Sequence, residues 1–293
     1  MKSALIVVSK NSGQGQFQRH KDKILARLNK IFDKVDISET SSAEEGHEVC
    51  KAACGKYHTL IIAGGDGTFH NAVEALAEME NTPVLAYINN GTIGDIGYNF
   101  GVGRSYKSAL KVIEKGEIEP FDIARVNGKY YFDYVAAIGS YANIPLTTKR
   151  QRKKFLGSLA YYTDAVGEAF QIKRIHVEIV ADGKHYEQDV PFVLLLNGKH
   201  VGGFMVNNKA NIFDGTMELY LAKPGLFNGL LQFLPGRKGF IKKIVASTFD
   251  IHTSLEDTVW DFDGDVGPIG DLHVECLRHK LKAYSGKHPK NVK

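Results

Sequence analysis

The order of apolar and polar positions divides the chain into two halves of different texture. In the first 118 residues, short continuous apolar runs alternate with stretches whose apolar side chains recur at helical spacing. "SALIVVS" (Ser3–Ser9), bounded by the turn-forming "KNSGQG", predicts a buried strand. Ile24, Leu25, Leu28, Ile31 and Phe32 then recur at helical spacing within Phe17–Phe32. A strand at Val35–Ile37 follows, then a helix start at Ser41-Ser42-Ala43-Glu44 and the apolar run "TLII". Beyond the glycine turn the pattern predicts a helix over Phe69–Met79, a strand over Thr82–Ile88 and a helix over Ser105–Lys115, closed by Gly116. Strands joined by helices in this rhythm make a parallel sheet covered on both faces. Ligands of such sheets bind at the carboxyl ends of the strands, which is where "KNSGQG", "GGDGT" and "NNGTIGD" fall.

From Phe121 the period changes. "FDIARVNGKYYFDYV" and "RIHVEIVADGKHYEQDV" alternate on either side of Asn127-Gly128 and Asp182-Gly183, which predicts two hairpins. The runs "PFVLLLN", "MELYLA", "VASTFDIH", "TVWDF" and "LHVEC" predict further strands, with helices only at Phe155–Gln171 and Leu226–Phe233. The fold expected is α/β: an N-terminal parallel sheet flanked by helices over residues 1–118, and a mainly antiparallel β-domain over 119–293.

Composition narrows this picture modestly. A length of 293 residues suits two domains, and the net charge of +4 is too mild for a dedicated nucleic-acid binder. No run of 18 apolar residues is present, and Met1–Ser9 lacks the features of a signal peptide. Three cysteines are too few for a disulfide framework, which fits a reducing cytoplasm. His47, Cys50, Cys54 and His58 fall near one helix face, but without a short Cys-x-x-Cys turn they read as core rather than metal ligands.

The candidate chemistry lies in the loops. Neither G-x-x-x-x-G-K-[ST] nor G-x-G-x-x-G occurs, so the usual ATP and NAD fingerprints are missing. Gly64-Gly65-Asp66-Gly67-Thr68 instead puts glycines and a threonine before a helix whose free N–H groups attract phosphate. Asp66 would repel that phosphate unless a cation such as Mg²⁺ lay between them. The rival reading is a tight turn with a helix-capping acid. Near the other end, Asp261, Asp263 and Asp265 would alternate onto one face if they lay on a strand; the alternative is a turn on Asp263-Gly264.

Taken in order, "GGDGT", "GTIGD", the short "FD" at Asp122 and the late "DGD" resemble the catalytic family of diacylglycerol kinases. The soluble bacterial lipid kinases, relatives of sphingosine kinases and, more distantly, of NAD kinases, are similar over nearly the whole chain. The resemblance implies that Ser9, Lys10, Asn11, Ser12, Gly13, Thr40, Gly65, Asp66, Gly67, Thr68, Gly91 and Thr92 cradle ATP. It implies an acidic network of Asp66, Asp95 and Asp122 around Mg²⁺, with Asp214 at a structural ion. Asp265 would be the general base toward a lipid hydroxyl, assisted by Asp263. The partner implied is a lipid at the membrane surface. The basic stretch "TTKRQRKKF" (Thr147–Phe155) would supply peripheral contact, and a homodimer is left open. The alternatives are a kinase of NAD or another small molecule using the same loop, or a catalytically impaired member that binds nucleotide or lipid as a regulator.

This chain departs from the family at several points. Ser9-Lys10 replaces Asn-Pro, His70-Asn71 replaces Asn-Glu, and Gly94 replaces the Asn that commonly precedes Asp95. Asp265 replaces a glutamate and is shorter by about 1.5 Å.

Overall fold

The computed structural model describes residues 2–10, 15–139, 174–222, 240–254 and 259–286. Asn11, Ser12 and Gly13, the basic stretch at 147–155 and the helices expected at 155–171 and 226–233 lie outside the described residues. The chain forms two compact units, Met1–Phe121 with His279–Lys293, and Asp122–Arg278.

In the first unit β1 (Ser3–Ser9), β2 (Lys34–Thr40), β3 (Thr59–Gly64) and β4 (Val84–Asn89) are parallel and lie side by side in the order β2-β1-β3-β4. The central strands β1 and β3 are buried almost throughout, as their unbroken Val, Ile and Leu runs require, whereas β2 is mostly half-buried. Register brings the strands to a common edge: Ser9 lies opposite Thr40, Val8 opposite Ala63, and Gly64 opposite Asn89. The chain leaves β1 toward β2 and then crosses back to β3, so the order reverses at β1 and β3, the position where open α/β sheets form a crevice.

The helices are α1 (Gln16–Leu28), α2 (Ala43–Ala52), α3 (Asp66–Ala77), α4 (Asp95–Asn99) and α5 (Tyr106–Lys115). α2 starts on the expected cap: the Ser42 hydroxyl accepts the Glu45 N–H at 3.1 Å, and the Glu45 carboxylate accepts the Ser41 N–H at 2.7 Å. It stops at Ala52, so Cys54 and His58 are not on its surface. α5 is capped by Ser105 and closed by Gly116 at φ 75°, as expected. α3 begins three residues before the expected Phe69, which places Asp66 inside the first turn with Gly65 as the cap. Phe69 on α3 meets Tyr87 edge-on at 5.6 Å and Phe100 at 5.7 Å between ring centres, which locks the helix onto the sheet.

The second unit is built from antiparallel strands in two sheets. β8 (Ile175–Ala181), β9 (Lys184–Val190), β15 (Thr248–Thr253) and the first part of β18 (Leu272–Tyr284) run in the order β18-β15-β8-β9, joined by β5 (Ile118–Val126) and β6 (Tyr130–Phe132). The other sheet has the order β14-β13-β10-β7-β16-β17. Its members are β7 (Val135–Gly139), β10 (Phe192–Leu196), β13 (Met217–Ala222), β14 (Phe240–Ala246), β16 (Val259–Phe262) and β17 (Asp265–Ile269). A small hairpin of β11 (His200–Val201) and β12 (Phe204–Met205) completes the described strands. Phe132, Ile138, Val177, Leu195, Leu219, Phe249 and Trp260 belong to one buried core. Both expected hairpins form, with Asn127-Gly128 and Asp182-Gly183 at positive φ as a two-residue turn demands.

Two sequence expectations need correction, and an open one is decided. "VASTFDIH" is not one strand, because β14 ends at Ala246 and β15 begins at Thr248. "LHVEC" is the start of a much longer strand whose far end joins the first unit, where Ala283 pairs with Leu85 and the Tyr284 hydroxyl lies 3.2 Å from the Thr59 hydroxyl. The segment 119–293 is therefore not one continuous compact unit. Of the two readings left open for Asp261, Asp263 and Asp265, the turn holds: Asp263 (φ 54°) and Gly264 (φ 89°) separate β16 from β17.

Candidate functional site

The carboxyl edge of the first sheet draws the expected loops together. The Asn90 N–H donates to the Gly64 carbonyl at 2.8 Å, and the Asn90 Oδ1 accepts the Phe17 N–H at 3.0 Å. One residue thus links the ends of β3 and β4 to the start of α1. Gly65 and Gly91 touch backbone to backbone, for a Cβ at Gly91 would lie 2.6 Å from the Gly65 Cα. α3, a helix of 12 residues, starts at this contact, and the N–H groups of its first turn and its positive dipole end favour an anion there. Thr68 and Asp66 are half-buried, while Gly67 and Thr92 are exposed. On the far side Thr40 is buried, and its carbonyl accepts the Lys10 N–H at 3.0 Å. The Lys10 ammonium lies 3.7 Å from Glu39.

Asp66 has a task the sequence did not reveal. Its Oδ2 accepts the Gly94 N–H at 2.9 Å and its Oδ1 accepts the Ile96 N–H at 3.1 Å, so it caps α4. The second glycine loop is thereby pinned to the first. Gly94 holds φ 78°, and the next residue, Asp95, is buried at the start of α4. Asp66 and Asp95 thus belong to one loop pair.

The remaining acids belong to the second unit. Asp122 is fully buried, and its carboxylate accepts the Gly215 N–H at 2.6 Å. Asn197 supports the same strand by donating to the Asp122 carbonyl at 2.8 Å. Asp214, the neighbour of Gly215, is exposed and turns on itself to accept the Thr216 N–H and hydroxyl at 3.0 and 2.8 Å. The two carboxylates reinforce the effect of burial on the Cys276 thiol, which is pushed up to about 12.

Asp263 is buried, and its carboxylate accepts the N–H groups of Asp133, Tyr134 and Val135 at 2.7, 3.1 and 2.8 Å. Asp261 accepts the Gly264 N–H at 2.9 Å and fixes the turn from the other side. Asp265, first residue of β17, is exposed. The turn therefore separates a carboxylate buried against backbone amides from one presented outward.

The fold and loops are those of a kinase lacking a phosphate-loop lysine, and the chain belongs to the diacylglycerol kinase family. Residues 3–126 match the diacylglycerol kinase catalytic domain. The chain is 30% identical to a diacylglycerol kinase of Bacillus subtilis over 227 residues, covering 76% of this chain and 74% of the relative. It is 27% identical to one of Staphylococcus carnosus over 99% of this chain and 97% of the relative. A crystal structure of a diacylglycerol kinase from Bacillus anthracis superimposes with a TM-score of 0.82 at 26% identity, covering 98% of this chain and 97% of that one.

Sequence reasoning missed three asparagines around these loops. Besides Asn90, Asn89 accepts the Gly91 N–H at 2.9 Å, and Asn71 donates to the Ala43 carbonyl at 2.8 Å, fastening α3 to the start of α2. The pair "NN" before "GT" was the available signal, since consecutive amides at a strand end are poor strand formers with backbone to hold.

Proposed function

We propose that this protein is an ATP-dependent lipid kinase that transfers a phosphoryl group to a hydroxyl of diacylglycerol or a related lipid. Family membership supports the activity, and the observation that carries the nucleotide site is the Gly65–Gly91 backbone contact at the start of α3. A side chain at Gly91 would drive the two loops apart, so the cradle is made of backbone, as close approach by a polyphosphate requires. Ser9, Lys10, Thr40, Gly65–Thr68, Gly91 and Thr92 are the residues assigned to the nucleotide, with Asn11–Gly13 completing the first loop.

Mg²⁺ suits the donor set, because Asp66 and Asp95 offer hard carboxylate oxygens on one loop pair. When bound, the ion supplies charge neutralisation on the phosphates. We assign the structural ion to the Asp214 loop, which Asp122 orders through Gly215. Asp265 accepts the proton of the attacking hydroxyl, and Asp263 positions it by holding the turn between β16 and β17. Access to substrate is assigned to peripheral contact, with Lys149, Arg150, Arg152, Lys153 and Lys154 meeting anionic headgroups.

Incubation with radiolabelled ATP and extracted lipids, with NAD in a parallel tube, tests the reading. Label is expected in the lipid fraction and lost in Asp66→Ala with the fold retained. Label confined to the NAD product would overturn the lipid assignment, and unchanged turnover in Asp66→Ala would remove that residue from the site.

A further inference from the structure

Asn89 ends β4 and is buried, yet its carboxamide is only half engaged. Its Oδ1 accepts the Gly91 N–H at 2.9 Å and the Tyr87 hydroxyl at 3.3 Å. Since an N–H needs an acceptor, these bonds fix which end of the amide is oxygen. Its Nδ2 makes no hydrogen bond among the described residues. That nitrogen stands in a particular place: a Cβ built on Gly94 would lie 2.2 Å from Asn89 Nδ2 and 2.7 Å from Asn89 Cγ. Asn89 therefore fills the space in which a side chain at position 94 would begin.

The φ of 78° at Gly94 does not by itself demand glycine, because asparagine is among the residues that tolerate the left-handed region. What excludes a side chain is the Asn89 amide, and that amide cannot swing away without releasing the Gly91 N–H. Gly91 in turn is the residue that touches Gly65 in the phosphate cradle. The neighbouring Asn90 repeats the arrangement, with its Oδ1 on the Phe17 N–H and its buried Nδ2 without a partner among the described residues. Both amides thus spend their oxygens on loop backbone and keep their donors.

We propose that Asn89 is a nucleotide-positioning residue and that positions 89 and 94 form one exchanged pair, in which the carboxamide of the second glycine loop is supplied from 89 and its place at 94 left vacant. The Oδ1 holds the Gly91 turn in its cradle geometry, and the Nδ2 donates to an acceptor oxygen of the nucleotide. This accounts for Gly94 where the family commonly carries asparagine. It deepens the nucleotide site of the proposed kinase and rests on that reading for the ligand, but the exchange itself concerns the free protein.

The test is a double-mutant cycle on the full chain with Asn89→Ala, Gly94→Asn and both together. The urea midpoint without ligand and the affinity for a fluorescent ATP analogue without lipid are read for each. Gly94→Asn alone is expected to lower the midpoint and weaken nucleotide binding by about tenfold or more, the scale of one lost hydrogen bond to a charged ligand. Asn89→Ala alone is expected to weaken binding with a smaller change in midpoint. The double variant should recover most of both losses seen in Gly94→Asn, because the restored amide has room. Losses that simply multiply, or a Gly94→Asn protein indistinguishable from the parent, would overturn the exchange. If Gly94→Asn does not fold, a folded double variant sustains the proposal, and an unfolded double beside a folded Asn89→Ala overturns it. A parent protein that binds no nucleotide would refute the kinase reading and the donor role of Nδ2, while the midpoints would still decide the exchange.

Discussion

Removing the Asp263 carboxylate is expected to cost stability before it costs chemistry. Three backbone N–H groups, those of Asp133, Tyr134 and Val135, end on its two oxygens in a buried position. In Asp263→Ala each loses a charged acceptor, and a buried donor left without one costs about 1–3 kcal/mol. Alanine also tolerates the left-handed φ of 54° less well than aspartate, adding up to about 1 kcal/mol. Water entering the vacated space satisfies some of the donors, so the lower end of the sum, about 3–5 kcal/mol, is the expected loss. That is a large part of the stability of an ordinary domain. Asp263→Asn should cost less. An amide oxygen in the Oδ1 place still serves Tyr134 and Val135, while its NH₂ faces the Asp133 N–H where Oδ2 stood at 2.7 Å, for a loss of about 1–3 kcal/mol.

Trp260, the single tryptophan of the chain, provides the assay. It is fully buried in the same unit, and its Nε1 donates to the Gly270 carbonyl at 2.9 Å, so its fluorescence reports unfolding of the turn's own surroundings. Urea titrations should give midpoints in the order parent, Asn, Ala, with phosphoryl transfer measured at concentrations where each protein is folded. An Ala variant with the parental midpoint but no transfer would make Asp263 a chemical group and refute the reasoning. Equal losses in Asn and Ala would refute the bond-by-bond account.

Other expectations can be checked separately. Gly91→Ala puts a methyl 2.6 Å from the Gly65 Cα, a backbone atom that cannot rotate away, so nucleotide binding measured by titration calorimetry should fall sharply with about 1–3 kcal/mol of stability lost. The Cys50 and Cys276 thiols, both pushed up to about 12 chiefly by burial, should resist a disulfide reagent at about pH 8 in the native protein and react once urea unfolds it. The His252–Asp271 bond of 2.8 Å raises the histidine pKa and lowers that of the carboxylate. Its stabilising effect should therefore be present near pH 6, fade as pH rises through the raised histidine value, and fade again as pH falls through the lowered aspartate value. A urea midpoint difference between parent and His252→Gln that did not shrink on going from about pH 6 to pH 8.5 would contradict this assignment.

Much of the scaffold was legible because its causes are local. Ile, Leu and Val runs that must be buried on both faces mark β1 and β3, and Asx-Gly pairs mark the hairpins. Ser42 and Ser105 announce their helices for the same reason: a cap is satisfied within three residues. The return of β18 was not legible, since its second half is held by partners as remote as Thr59 and Leu85, and nothing in "LHVEC" specifies them. The asparagine contacts at 71, 89 and 90 were missed because even the "NN" pair marks only where amides meet backbone, not which group each one holds.

The acids show why a motif can locate a site without giving the task of each residue. Read from sequence, they form one family of negative charges requiring a cation. In the structure Asp66, Asp122 and Asp263 each bind backbone N–H groups far along the chain: Gly94 and Ile96, Gly215, and Asp133 to Val135 respectively. A carboxylate with such bonds is stabilised in its charged form by the protein itself, so its negative charge alone no longer argues for an ion. The same bonds fix the glycine loops to which they run, and a loop fixed without ligand loses less entropy when a polyphosphate binds. Asp214 and Asp265 differ from these three in being exposed. On this division the carboxylates of Asp66, Asp122 and Asp263 build the loops whatever else they hold, and burial separates them from Asp214 and Asp265.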